Sequence, residues 1–203
     1  MLTGGRLGNI SEEPIRCGWV SDDPLYLDYH DQEWGVPITD DQKLFEMLIL
    51  EGAQAGLSWI TILRKRENYR AAFANFEPQE IIAFTEQDVE RLMTDTGIIR
   101  NRLKINSVIS NAKAWLEIMK EGEGAFSNLV WSVVRCKSIT NIWSELGDVP
   151  ASTPESEQLS KLLKKNGFKF VGPTICYAYM QACGMVNDHV TSCFRHREVI
   201  SRS

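Results

Sequence analysis

Apolar residues in this chain recur at three- and four-residue spacing and almost nowhere alternate, which constrains it to pack helix against helix. In residues 41–51 (DQKLFEMLILE), Leu44, Met47, Leu48 and Glu51 share a helical face that Ala55 and Trp59 continue, with Thr39 or Asp40 placed as the N-cap. Pro78 sits at a first-turn position of PQEIIA, and Thr85 precedes EQDVERLM, whose Val89, Leu92 and Met93 point to one side. After Gly97 a second periodic run carries Ile98, Leu103, Ile105, Val108, Ile109, Ala112 and Leu116. Ser152, Thr153, Pro154 and Glu155 form a helix start with capping-box spacing; that helix runs to about Lys165 and stops at Gly167. Pro173 opens TICYAYMQAC, closed by Gly184. Only FKFVG reads as a short extended piece, so the expected class is all-α. A length of 203 residues suits one domain, expected over 15–196, with a loose extension over 1–14 and a frayed tail over 197–203.

No apolar run reaches the roughly 18 residues of a membrane span. The start, MLTGGRLGNISEEP, has no apolar core of a secretory signal. A cytoplasmic location is therefore expected, where five cysteines do not read as a disulfide framework. The net charge of -5 argues against coating nucleic acid by bulk charge. Its distribution is uneven. Residues 1–60 carry 3 basic and 11 acidic side chains, whereas 61–76, 98–120 and 161–190 are each net positive. Such blocks are usually solvated helix faces; three meeting in space would make an anion-binding face.

The segment DVERLMTDTGIIRNRLKI reads as two amphipathic helices joined at Gly97. Glycine there is free to take a positive φ and to come close to a ligand. The second helix would present free N–H groups and a positive dipole end, suited to a DNA phosphate, with Arg100, Arg102 and Lys104 adding charge. A plain helical hairpin is the competing reading.

Cys17 and His30, with twelve residues between them, stand near one end, and His189 and Cys193 form H-x-x-x-C near the other. On a helix an i, i+4 pair faces one side and chelates one ion. Two Cys and two His complete a closed tetrahedral zinc site of the structural kind, joining the chain ends and leaving no open water position. The alternative is a buried thiol and ordinary histidines. Cys136, Cys176 and Cys183 lie among apolar residues and read as core thiols, and His196, between Arg195 and Arg197, as a surface residue.

Glu51 ends the run MLIL on an apolar, aromatic face. Burial of a carboxylate there costs several kcal/mol unless it meets a cation or donor, roughly as for any buried charge. Trp19, Tyr26, Tyr29 and Trp34 crowd CGWVSDDPLYLDYHDQEWG, and aromatic faces attract cations and stack on bases, although core packing is the commoner use.

Together, RCGWV, DPLYLDYHDQEWGVP, LFEMLILEGAQAGLSWITIL, KRENYR, TGIIRNRLKI, GFKFVGPTICYAYMQACGMVNDH and the final H-x-x-x-C resemble the 3-methyladenine DNA glycosylase type I family, over about residues 16–193. The resemblance implies a helix-hairpin-helix glycosylase fold, the hairpin over about 86–116. It implies structural Zn2+ on Cys17, His30, His189 and Cys193, in a lobe built from 17–34 and 185–195. It places Glu51 in the base pocket as the catalytic carboxylate, accepting hydrogen bonds from the purine and offsetting its charge. Tyr29 and Trp59, with Trp19 and Trp34, line that pocket. Gly56 and Leu57 match the tip that enters the duplex, and Gly97, Arg100 and Arg102 the hairpin on DNA. The implied reaction is hydrolysis of the bond between 3-methyladenine and deoxyribose in alkylated double-stranded DNA, by a monomer with no membrane attachment.

No Asp occurs between Asp95 and Asp148, and Lys104 is the first lysine after Gly97. Both absences point to a monofunctional enzyme that leaves an abasic site uncut. A non-enzymatic, zinc-stapled helix-hairpin-helix DNA-binding module would share the fold but need no pocket carboxylate. A zinc hydrolase would need an open coordination position, against a Cys2His2 set. The segments before Arg16 and after Cys193 (FRHREVISRS) lie beyond the family pattern.

Overall fold

The computed structural model describes residues 13–200. The expected extension therefore falls, for residues 1–12, outside the described residues, as do 201–203 of the expected tail. The chain is mostly helical. Helix α1 (Pro24–Asp28) runs into a π-helical turn, Tyr29–Glu33. Then come α2 (Asp41–Gln54), α3 (Trp59–Leu63), α4 (Arg66–Ala72), α5 (Pro78–Ile81), α6 (Glu86–Thr94), α7 (Arg102–Met119) and α8 (Ala125–Trp131). The last three helices are α9 (Pro154–Lys165), α10 (Pro173–Ala182) and α11 (Phe194–Ile200).

The expected helical class holds, with one addition, a two-residue parallel pair, Ile139–Thr140 against Val186–Asn187. FKFVG does not belong to it. A correction is at the C-terminus: α11 is helical through Ile200 where a tail was expected from 197, because Val199 is fully buried.

Helix α2 is the hub. Leu44, Phe45, Leu48 and Leu50 are almost wholly buried on several of its faces, and it packs against α3, α7, α8 and α10. A helix apolar all round belongs in the middle of a domain. Its start is fixed by Asp40, whose carboxylate accepts from Lys43 N at 2.8 Å. Asp41 accepts from Gly124 N and Ser127 N, both at 2.7 Å, and so caps α8 as well. Thr85 and Asp88 form the capping box of α6. The cap of α9 is Thr153 rather than Ser152, with Pro154 in the first turn.

The hairpin forms as α6, a turn over 95–101, and α7. Asn101 caps α7 by accepting from Lys104 N at 3.1 Å. Ile98, Ile105, Val108 and Ala112 are buried as the periodicity requires, but Leu103 is 72 % exposed. The expected positive φ at Gly97 is not adopted. Glycine is needed there for space instead: an added Cβ would stand 2.9 Å from Asp95 Oδ1 and 3.0 Å from Asn68 Cβ. Two other expectations are corrected here. Cys136 is exposed, on a left-handed stretch with Arg135 that carries it away from the core. His196 is buried, with Nε2 2.9 Å from the Asn141 carbonyl.

Gly97→Ala should cost about 1–3 kcal/mol, the usual penalty of overpacking, since the Asp95 carboxylate and the Asn68 side chain must yield. Urea unfolding of the variant measures this; unchanged stability would show that the turn relaxes freely.

Candidate base pocket and metal centre

Helix α2 delivers Glu51 to the floor of a cavity of about 330 Å³. That volume lies at the small end of ligand sites. Trp19, Tyr26, Tyr29, Trp34 and Trp59 line it, with Gln54, Thr174, Tyr177, Gln181 and Asp188 adding polar edges. The rings of Tyr29 and Trp59 lie 5.3 Å apart, and Trp19 contacts Tyr26 and Trp34 at 5.0 and 5.1 Å. All five pocket residues expected from the sequence are thus brought together.

The pocket holds unsatisfied polar atoms. Glu51 is 3 % exposed, and its Oε2 has no hydrogen-bond partner. Trp19 Nε1 and Trp59 Nε1 are likewise buried and unpartnered. Each such group carries a desolvation cost that a ligand would relieve. Desolvation pushes the Glu51 carboxyl up to about 8, which favours its protonated form at neutral pH. Burial, and then the Glu51 charge, raise the Tyr29 hydroxyl well above its usual range.

Behind the aromatic wall, Cys17 Sγ, His30, His189 and Cys193 Sγ present ligand atoms that all lie within 4.8 Å of one another, every residue buried. Cys17 Sγ is 3.5 Å from His189 Nδ1, and Cys193 Sγ is 3.5 Å from His30 Nε2 and 3.6 Å from His189 Nδ1. Metal–sulfur bonds of about 2.3 Å and metal–nitrogen bonds of about 2.0–2.1 Å in a tetrahedron require S···N edges of about 3.5 Å. The cluster therefore fits a four-coordinate metal ion. The unused imidazole nitrogens are already engaged: His30 Nδ1 lies 2.7 Å from Asp31 Oδ1, and His189 Nε2 lies 3.1 Å from the Trp34 carbonyl. Donation at those atoms leaves the inward nitrogens free to ligate. Arg16 grips Asp31 through two nitrogens. Within the cluster the Cys193 contact and burial raise Cys17, while the Cys17 contact and the two imidazoles lower Cys193.

The cluster also orients the pocket wall. Trp34 meets the His189 ring edge-on at 4.6 Å, and Trp19 meets His30 at 5.3 Å. The sequence did not single out Asp188, which joins the centre to the pocket. It accepts from Asn141 and Trp143 on one oxygen, and from Tyr177 and Gln181 on the other. Its adjacency to His189 was the available signal.

The expected DNA contacts lie at a different edge. Gly56, at φ +79°, and Leu57, 41 % exposed, form the turn between α2 and α3. Arg100 is exposed on the hairpin turn. Arg102 is paired to Glu86 and Glu90 and ties α7 to α6.

A helical domain with a carboxylate-floored aromatic pocket beside a helical hairpin belongs to the DNA glycosylase class. The family model described as methyladenine glycosylase matches residues 19–196, and the chain belongs to that family. It is 60 % identical over 178 residues to DNA-3-methyladenine glycosylase 1 of Escherichia coli strain K12, covering 88 % of this chain and 95 % of that one. A crystal structure of 3-methyladenine DNA glycosylase I superposes with a TM-score of 0.87 at 60 % identity, covering 89 % of this chain and 98 % of the other. The Staphylococcus aureus enzyme, described for its 3-methyladenine recognition, superposes at 0.84 with 39 % identity, over 88 % and 95 %.

Two measurements probe the site. Cys193→Ser should lower metal content and stability together, by at least about 3 kcal/mol, near 10 °C in Tm for a chain of this size. A stable, metal-replete variant would disprove the staple. For Glu51, the folded state holds a proton that the unfolded chain, near 4.5, releases. Its contribution to stability is thus complete below about pH 4.5 and declines as pH rises toward 8, by a few kcal/mol at roughly 1.4 kcal/mol per pH unit. Glu51→Gln should flatten that decline in thermal melts taken across pH 4.5–8.

Proposed function

We propose that this protein excises 3-methyladenine from alkylated double-stranded DNA, hydrolysing the N-glycosidic bond and leaving an abasic site. The observation that carries the reading is the buried, unpartnered Glu51 carboxyl on an aromatic floor.

Methylation at N3 makes the nucleotide's purine cationic, so the base is already a good leaving group and needs little acid assistance. What the protein must supply is selection and access. A neutral purine entering this pocket would leave Glu51 either protonated or charged without a counterion. A cationic purine lowers the pKa of the carboxyl, so its proton passes to solvent and the carboxylate pairs with the base, which repays the desolvation. Tyr29, Trp59, Trp19 and Trp34 add ring faces that favour a cation over a neutral base. The target nucleotide must leave the stack to reach the pocket. Leu57 is the apolar group suited to fill the gap it leaves, with Gly56 letting the turn project. Gly97 and Arg100 give the hairpin its approach to the phosphates; Arg102 supports it through α6.

Zinc is the metal we assign to Cys17, His30, His189 and Cys193, on ligand type and spacing. With all four positions filled by protein, it holds the chain ends and the tryptophan wall and takes no part in bond cleavage. Lys104 has its ammonium bonded to the Ala53 and Ala55 carbonyls, so no Schiff-base nucleophile is at hand and the strand is left uncut. Every proposed functional group lies on one chain, so a monomer suffices. A cytoplasmic location agrees with five cysteines that form no disulfide, a state a reducing compartment preserves.

Glu51→Gln should slow release of free 3-methyladenine from methylated duplex DNA by about 10–100-fold, the worth of a charge-assisted hydrogen bond. Chromatography of released bases measures it. Wild-type protein that binds methylated DNA yet frees no base would leave the non-enzymatic, zinc-stapled DNA-binding module instead.

A further inference from the structure

The turn that would enter the duplex is weakly held by its own surroundings. Gly56 has open space around the position of a Cβ, and Leu57 is exposed. Within the turn, Ala55 N reaches back to the Gly52 carbonyl at 3.4 Å, and Leu57 N donates to Gln54 at 2.6 Å. Ser58 meets only Thr61, on the far side. A wedge so tethered would fold back before it could separate a pair of stacked bases, unless something outside the turn braced it.

The brace is on the hairpin. Lys104, in the first turn of α7, extends its side chain across to the end of α2 and donates to the carbonyls of Ala53 and Ala55, each at 2.8 Å. Among the described residues, these are the hydrogen bonds that join residues 53–57 to an element other than the adjoining α2 and α3. They satisfy carbonyls at the end of α2, where the helix leaves acceptors without partners and where its dipole favours a cation. The Lys104 backbone is itself fixed at both ends: its N–H donates to the Asn101 cap at 3.1 Å, and its carbonyl accepts from Ser107 Oγ at 2.6 Å. The turn before α7 is anchored in the same way. Lys65 Nζ donates to the Thr96 carbonyl at 2.7 Å, and Ile99 N donates to Tyr69 Oη at 3.2 Å.

We propose that Lys104 is a positioning residue that locks the 55–57 turn to the hairpin, so that seating the hairpin on the DNA backbone drives Leu57 into the duplex as one rigid movement. Lys104 does not touch the base. It works on the step that opens a paired duplex and leaves the pocket alone. This inference rests on the proposed glycosylase function.

The role separates from a structural one by substrate. Lys104→Met keeps the aliphatic stem and removes the donors. Its release of 3-methyladenine from fully paired methylated duplex should fall by about tenfold or more, within the range that small misplacements cost. Release from single-stranded methylated DNA, which needs no wedge, should stay within about twofold of wild type. Binding of free 3-methyladenine, followed by tryptophan fluorescence, should be unchanged. In a Leu57→Ala background, Lys104→Met should cause no further loss on duplex, because both changes remove one action. Lys104→Arg, which retains donors, should recover some of the duplex activity. Equal losses on single and double strands, or losses that multiply with Leu57→Ala, would overturn the assignment. So would a loss that disappears at low salt, which would mark Lys104 as a phosphate contact. Wild-type protein inactive on both substrates would refute the glycosylase reading itself.

Discussion

The convergence of Cys17, His30, His189 and Cys193 is the constraint on which the site depends. It joins segments that are 159 or more residues apart in the chain, and those segments carry Trp19, Tyr29 and Trp34. None of these rings belongs to a long helix that would hold it independently; the segment before α2 has only the short α1 and a π turn. The thiol–imidazole contacts, the Asp31 and Trp34 hydrogen bonds behind the imidazoles, and the edge-on ring contacts fix that segment against α10 and the strand pair. Asp188 extends the same fixation to Tyr177 and Gln181 on the opposite wall.

Against that wall, α2 sets one costly group. A carboxyl at its inner end gives the pocket a preference that shape alone could not provide, since a methyl group on a purine alters contacts by only about 1–3 kcal/mol. Charge is the larger difference between the lesion and its parent base. A buried acid with no built-in partner is sensitive to that difference, and the aromatic faces reinforce it. On the proposed function, stability is given up at Glu51 in return for selectivity, the exchange expected where a local rule is broken at a functional site.

Most of the helices were legible because their caps and periods agree: Asp40 before α2, Pro78, Thr85 with Asp88, and Pro173 each mark a start that the structure uses. The Cys2His2 cluster was legible from residue types at the two chain ends, and the pocket aromatics from the family resemblance. What escaped the sequence depended on tertiary context. Leu103 fits the helical period yet points outward, because the first turn of α7 projects beyond the core. Cys136 and His196 exchanged their expected places through a left-handed loop and the packing of α11. Gly97 serves close approach to Asn68 and not a positive φ, which no local pattern distinguishes. Asp188 and Lys104 are ordinary polar residues in the sequence. Their importance lies in partners 47 and 49–51 residues away.

Glu51 and Leu57 sit six positions apart, at the end of one helix and the turn that follows it. A probe and its sensor mounted so closely on a stiff support act as a gauge of fixed reach. On the proposed roles of Leu57 and Glu51, the protein is thereby fitted to test a single nucleotide at each docking, at one set distance from the breach it makes. Two damaged bases side by side would have to be taken in successive visits, because the breach opened for the first is filled by the side chain that opened it.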